Sequence, residues 1–263
     1  MIATLTRARR TVEAELIAYK RTWRGTVISS FVNPVFFLSA MGLGLGSLVD
    51  RGQGNLSVSY LTFVATGLMA AIGMQAGAGD GAHPVMAGIK WRKEFHAVIT
   101  TPMNPGDIVV GRAVWGTIRL TFIMVVFTII AGLFGAFDVG TALMAIPPAV
   151  LTGIAFQTSM TAFTATREDS TSLTTIFRFA ITPLFLFSGT FFPIANLPQA
   201  FQWIAYATPL FHGVELVRKI ALPGIVPPDV TTLPIWVHFA YLGVMLAVGI
   251  TLAARFLDRR LRP

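Results

Sequence analysis

Residues Tyr60 to Gly79 read YLTFVATGLMAAIGMQAGAG, twenty positions without a charged side chain. At 1.5 Å per residue an α-helix of that length crosses the roughly 30 Å of hydrocarbon in a bilayer. Five further runs are long and apolar, with Arg119 and Arg178 as their only charges: Val27 to Val49, Ile118 to Phe137, Ala142 to Ala165, Leu173 to Phe192 and Ile235 to Ala254. Backbone groups in lipid must bond within their own segment, so helices are the open-ended solution, and no alternation of the kind a β-barrel needs is visible. The composition agrees: 54% of the 263 residues are hydrophobic and only 12% are charged, about half the charge of an ordinary soluble domain. The expected fold is therefore all-α and integral to a membrane, one domain over residues 1–263 with six transmembrane helices.

Orientation follows from the basic residues. Arg7, Arg9, Arg10, Lys20, Arg21 and Arg24 precede the first run, and Lys90, Arg92, Lys93 and Arg112 follow the second. With Arg119, Arg167, Arg178, Arg255, Arg259, Arg260 and Arg262, seventeen of the twenty Lys and Arg fall on one side, against Arg51, Arg218 and Lys219 on the other. The excess marks the cytoplasmic side and puts both termini there. The net charge of +8 is thus a consequence of topology, and a nucleic-acid partner is not implied. The first apolar run begins only after a long basic segment and no small-residue cleavage site follows it, which argues against a removable signal peptide.

Residues 193–234 are apolar enough to suggest a seventh crossing, but they hold seven of the fifteen prolines, and proline breaks helices. Short re-entrant helices dipping into the outer leaflet fit better. Thr11 to Arg24, within the cytoplasmic segment 1–25, reads as a helix lying in the interface, with a solvated basic tail as the alternative. The pairs Gly42 with Gly46 and Gly73 with Gly77 have the small-xxx-small spacing that lets helices approach closely. Pro34, Pro147, Pro148 and Pro183 fall within or at the edges of spans and are candidate kinks.

Several chemistries lack their residues. None of Lys20, Lys90, Lys93 and Lys219 follows Gly and precedes Ser or Thr, so the chain has no Walker A loop. It has no cysteine, and His83, His96, His212 and His238 show neither an HExxH pattern nor metal spacing. The twelve acids all fall away from the middles of the expected spans, which weighs against a proton-coupled carrier. Arg119 and Arg178 sit in the first turns of the third and fifth runs. There they can snorkel to the surface or meet an anionic headgroup.

Two stretches carry a resemblance. In the cytoplasmic loop 80–112, Lys90 to Ile99 reads as an amphipathic helix in which Trp91, Phe95 and Val98 recur at i, i+4 and i+7 on one face, with Arg92, Lys93, Glu94 and His96 beside them. After the fifth run come Pro193, then Leu197-Pro198, then Pro209-Leu210 with His212, then Glu215 and Arg218. His212, Glu215 and Arg218 share a helix face, which suits bracing or a gate contact.

Together these features resemble the ABC-2 type permeases, in particular the branch that exports lipooligosaccharides and drugs such as daunorubicin, and the similarity covers most of the chain. The resemblance implies a permease that binds no cofactor itself. It implies a complex with a second permease subunit, as a homodimer, and with two copies of an ABC ATPase subunit that holds ATP and Mg. The helix from Lys90 would be the coupling helix that seats in that ATPase, and 193–234 would be the external re-entrant region. The location implied is a bacterial cell membrane, crossed several times. An ion-coupled secondary transporter and a membrane-embedded lipid-modifying enzyme are the alternatives from other classes.

Overall fold

The computed structural model describes residues 2–46, 48–49, 56, 58–223 and 233–262. Among them there is no strand. α1 (Ile2–Leu38) runs on into a π-helical segment, Ser39–Gly46. α2 (Tyr60–Met86) continues as a π turn, Ala87–Trp91, and is followed by the short α3 (Glu94–Ile99). α4 is Pro105–Leu133, α5 Val139–Leu143 and α6 Ile146–Ala165. α7 (Thr171–Ile176) and α8 (Thr182–Phe187) are joined by the π turn Phe177–Ile181. A 3-10 turn, Ile194–Asn196, leads to α9 (Gln199–Tyr206), α10 (Pro209–Ala221) and α11 (Ile235–Leu261).

Among the described residues, four helices are long and apolar enough to cross a membrane: Tyr60–Trp91, Pro105–Leu133, Val139–Ala165 and Ile235–Leu261. The other two expected spans are less regular. The first belongs to a helix bent by 45° between Arg9–Gly25 and Ser30–Gly46, and the fifth is the shorter Thr171–Phe187. The stretch expected to lie flat in the interface is therefore continuous with the first apolar run. The bend falls between Gly25 and Ser30, and Ser30 is the residue four before Pro34, whose carbonyl a proline ring crowds. Arg51 and residues 224–232 of the expected re-entrant region lie outside the described residues.

Local chemistry sets the helix starts. Ser59 caps α2, its hydroxyl accepting from the Thr62 N–H at 3.2 Å. Asn104 and Asp107 form a reciprocal capping box with Pro105 at the first helical position, so α4 begins thirteen residues before Ile118. That early start turns Arg112 and Arg119 from loop and end residues into helix-interior ones.

α6 sits at the centre, packed on α2, α11, α4 and α10. Between helices in lipid, association rests on close packing rather than water release, and small residues favour it. The α2–α6 crossing is such a contact. A Cβ added to Gly73 would lie 2.7 Å from the Ala149 carbonyl oxygen, and one on Gly77 or Gly81 would run into the carbonyls of Gly153 or Gln157. Around it Phe63, Leu68, Met69, Leu120, Met124 and Phe127 are fully buried. Of the buried threonines of α6, Thr152 returns its hydroxyl to Pro148 O at 2.9 Å and Thr161 to Gln157 O at 2.8 Å within the helix, whereas Thr164 donates across to Gly81 O of α2 at 2.9 Å.

The long helices alternate in direction, so their ends gather at two poles. At the pole bearing most of the arginines, Lys90 donates to Glu168 O at 2.8 Å and Arg260 to Ala165 O at 3.4 Å. At the other, Thr62 donates to Ala136 O and Tyr241 to Ala207 O.

Candidate functional site

The basic pole holds a network of charges that sequence spacing did not suggest. Arg119, the fifteenth of the 29 residues of α4, forms an ion pair with Asp80 of α2, and Arg112 forms one with Glu15 of α1. Arg112 also donates to the Asp80 backbone carbonyl at 3.0 Å, and Gln157 of α6 donates to the Arg112 carbonyl at 3.2 Å. Four helices are thereby tied together. Their side chains line a hollow of about 450 Å³ together with Tyr19 and Trp115, whose rings stand edge to face at 5.4 Å.

This corrects two expectations. Arg119 does not lie in a first turn and does not snorkel free, because the capping box moves the helix start to Pro105 and Asp80 supplies a partner. Asp80, expected beyond the end of the second span, lies inside the helix Tyr60–Trp91 with its side chain 11% exposed. Asn104, Pro105 and Asp107 were the signal that would have placed Arg112 and Arg119 within a helix. Arg178 is different: it is exposed on the Phe177–Ile181 turn and makes no ion pair or hydrogen bond among the described residues.

The expected helix from Lys90 is broken in two. Trp91 ends the π turn after α2, Arg92 caps it, and Lys93 takes a left-handed conformation (φ 54°) before α3 begins at Glu94. For a residue with a Cβ that conformation is uncommon, and it rotates Trp91 away from Phe95. The single face Trp91–Phe95–Val98 therefore does not form. Trp91 stays 58% exposed, whereas Phe95 is 5% exposed and fills the space left by the missing side chain of Gly88. The Arg112 guanidinium lies 5.9 Å from the Phe95 ring. Arg92 and Glu94 form a two-pronged pair at 2.8 and 3.1 Å, and His96 is partly buried beside them.

At the opposite pole the Pro193 to Arg218 residues are brought together. Pro193 precedes the 3-10 turn, Leu197 ends it, Pro198 opens α9 and Pro209 opens α10. Thr208 caps α10, accepting from the Phe211 N–H at 3.4 Å. Leu210, His212, Glu215 and Arg218 of α10 are all buried. The Arg218 guanidinium stacks 3.8 Å from the Phe63 ring and donates to Gly189 O at 2.7 Å and Phe63 O at 3.3 Å. Gly189 presents that carbonyl from φ +81°, a conformation that favours glycine. His212 meets His238 of α11, Nδ1 to Nδ1, at 2.8 Å and stacks on the Tyr241 ring at 4.0 Å. Lys219 lies 3.8 Å from the Glu215 carboxylate and 3.3 Å from His238 Nε2.

Among the described residues no three His, Cys, Asp or Glu side chains gather as a metal site would require.

Comparison with known proteins bears on all of these features at once. The model of the family described as ABC-2 type transporter matches residues 8–222. The chain is 27% identical over 247 residues to Nodulation protein J of Rhizobium meliloti (strain 1021), covering 94% of this chain and 91% of that one. It is 29% identical over 245 residues to Nodulation protein J of Rhizobium leguminosarum bv. trifolii, covering 93% and 90%. It is 23% identical over 228 residues to the inner membrane transport permease YadH of Escherichia coli (strain K12), covering 86% of each. The matched region takes in α1 through α10, and with it both the charged network and the buried α10 residues. The chain belongs to the ABC-2 type transporter family.

Proposed function

We propose that this chain is the permease of an ATP-driven exporter that moves an amphipathic or lipid-like substrate outward across a bacterial inner membrane. It pairs with a second copy and with two copies of a separate ABC ATPase, which binds ATP and Mg. The observation that carries this reading is the family match across residues 8–222 in a chain without a Walker A lysine. Six crossings with both termini cytoplasmic accord with the alternating helix directions and with the arginine-rich pole. The bent α1 and the short Thr171–Phe187 would then be the first and fifth spans, and residues 193–234 would face outward.

In this arrangement the turn from Trp91 to His96 faces the ATPase, with exposed Trp91 as its apolar contact. His212, Glu215 and Arg218 brace α10 against α2 and α11. Reconstitution with a candidate ATPase in vesicles tests the reading: accumulation should require ATP, stop with vanadate and ignore uncouplers. An ion-coupled carrier is a second reading, favoured by the Asp80–Arg119 pair inside the helices, and it requires the reverse pattern. Topology is tested in this cysteine-free chain by Asn196→Cys, which an impermeant reagent should label in intact spheroplasts; labelling only after lysis would overturn the orientation.

A further inference from the structure

Four buried polar atoms at the basic pole have no hydrogen-bond partner among the described residues: Asp80 Oδ2, Arg112 Nε, Arg119 Nε and Gln157 Oε1. All four belong to side chains that line the same hollow of about 450 Å³. The rest of each side chain is already engaged. Arg112 and Arg119 hold Glu15 and Asp80 through their terminal nitrogens, and the Gln157 amide donates to the Arg112 carbonyl at 3.2 Å. Two N–H donors and two oxygen acceptors are left for whatever occupies the hollow. Gln157 is only 2% exposed and Arg112 only 5%, and polar atoms buried so deeply are costly to leave unmet.

The chemistry of the lining selects the occupant. Glu15 and Asp80 offset Arg112 and Arg119, and Glu94 offsets Arg92, so an added ion of either sign would stand uncompensated. An alkyl chain satisfies none of the four atoms. A neutral molecule that both donates and accepts can satisfy all of them, and water does so with two to four hydrogen bonds per molecule. At about 30 Å³ each, on the order of ten waters have room there. The packing makes space for the central carboxamide: a Cβ on Gly116 would overlap the Gln157 side chain, so the bare backbone of α4 admits that group between α4 and α6. The rim of the hollow is exposed at Ala18, Thr22, His83 and Arg92. Toward the core, Leu120, Met124 and Phe127 of α4 are fully buried and form a dry wall.

We propose that this hollow is a hydrated chamber, in which a cluster of bound water joins Asp80, Arg112, Arg119 and Gln157, with Gln157 as its uncharged anchor. The cluster makes the two ion pairs exchangeable. In a dry interior, separating such a pair strands both charges, whereas bound water supplies replacement hydrogen bonds while α1, α2 and α4 shift past one another. That the chamber opens toward the cytoplasm rests on the orientation proposed above; its hydration does not.

The test is hydroxyl-radical labelling, by an X-ray pulse, of the chain in its ATPase complex in nanodiscs, read by mass spectrometry. Trp115 and Tyr19, half-buried on the wall of the hollow, should be oxidised. Met124 should stay unmodified, although its thioether oxidises readily. Gln157→Leu removes an acceptor and should cut Trp115 labelling roughly tenfold, the worth of one to two hydrogen bonds to the cluster. Trp91, 58% exposed, should label as in the parent. Because Gln157 lies in the core, Ala18→Phe at the exposed rim is the second variant; it fills the hollow, and should melt like the parent and protect Trp115 as well. The proposal is overturned if Trp115 and Tyr19 of the parent are as protected as Met124, or if Met124 is oxidised as fast as Trp115. It is also overturned if either variant, melting like the parent, leaves Trp115 labelled at the parental rate. Labelling of Trp115 by a hexadecane diazirine would place a lipid chain in the hollow and overturn it too. Labelling of Asn196→Cys only after lysis would defeat the orientation and leave the chamber hydrated.

Discussion

Asp80 and Arg119 face each other across α2 and α4 with side chains only 11% and 26% exposed, so each is the other's main compensation for leaving water. Removing one member of such a pair strands the other charge, at a cost of about 3 kcal/mol at a site this enclosed. Asp80→Asn should therefore lower the melting temperature in detergent far more than Asp80→Asn with Arg119→Gln, in which no charge is left over. Equal losses in the single and double variants would mean that the pair does not act as a unit. His212 gives a second residue-level expectation. Burial lowers its pKa below the ordinary 6.5, and its Nδ1–Nδ1 bond to His238 needs one unprotonated nitrogen. The folded state then holds fewer protons than the unfolded one. Stability present above pH 6.5 should accordingly be lost as the pH falls below that value. Melting curves across pH 7.5 to 5 should show the decline in the parent, and a flatter profile from a lower starting point in His212→Gln.

Helices pack here where side chains are missing, and α2 separates that role from propensity. Gly77 faces the Gly153 backbone and has no room for a Cβ, whereas Gly79, two residues on, has nothing within 4 Å. Gly77→Ala should force α2 from α6 and yield little folded protein. Gly79→Ala should be neutral or stabilising by up to about 1 kcal/mol, since alanine favours helix. Similar expression and melting of both variants would rule out the backbone contact. Gly73 and Gly77 were legible as a close-approach spacing, and the apolar runs located the starts of α2, α6 and α11 within a few residues, while α2 and α11 continue to Met86 and Leu261, past the expected Gly79 and Ala254. The start of α4 was misjudged because hydropathy marks where lipid begins, while the capping box at Asn104 marks where the helix begins. The break at Lys93 left no trace in apolar spacing, because a left-handed residue changes direction without changing composition. The Asp80–Arg119 and Arg112–Glu15 pairs were hidden for a related reason: they join residues 39 and 97 positions apart, which no local pattern connects.

Across the whole molecule, the turn proposed to meet the ATPase and the charged network share one side chain. Phe95 fills the gap at Gly88 and lies beneath Arg112. Arg112 in turn holds Glu15 of α1 and the backbone of Asp80. The turn had read as a continuous coupling helix with Trp91, Phe95 and Val98 on one face; Phe95 is instead buried inside the chain, which leaves Trp91 as the exposed aromatic and makes transmission through Phe95 the role to test. The two roles give different losses. Trp91→Ala removes an apolar contact of the kind that dominates interfaces, about 2 kcal/mol, and should weaken ATPase pull-down roughly 30-fold. It should leave the melting temperature of the permease unchanged. Phe95→Ala opens a cavity under Arg112, at a cost of about 3 kcal/mol, and should melt earlier. Pull-down should be nearly intact, because the exposed face of the turn is untouched, and ATP hydrolysis by the complex should persist while transport per ATP falls. The decisive comparison is between pull-down and transport-to-hydrolysis ratio measured on the same preparations. If Phe95→Ala loses ATPase binding as strongly as Trp91→Ala, the ring is an interface residue after all. If Phe95→Ala transports at the parental ratio, force does not pass from the turn to the membrane helices through Arg112.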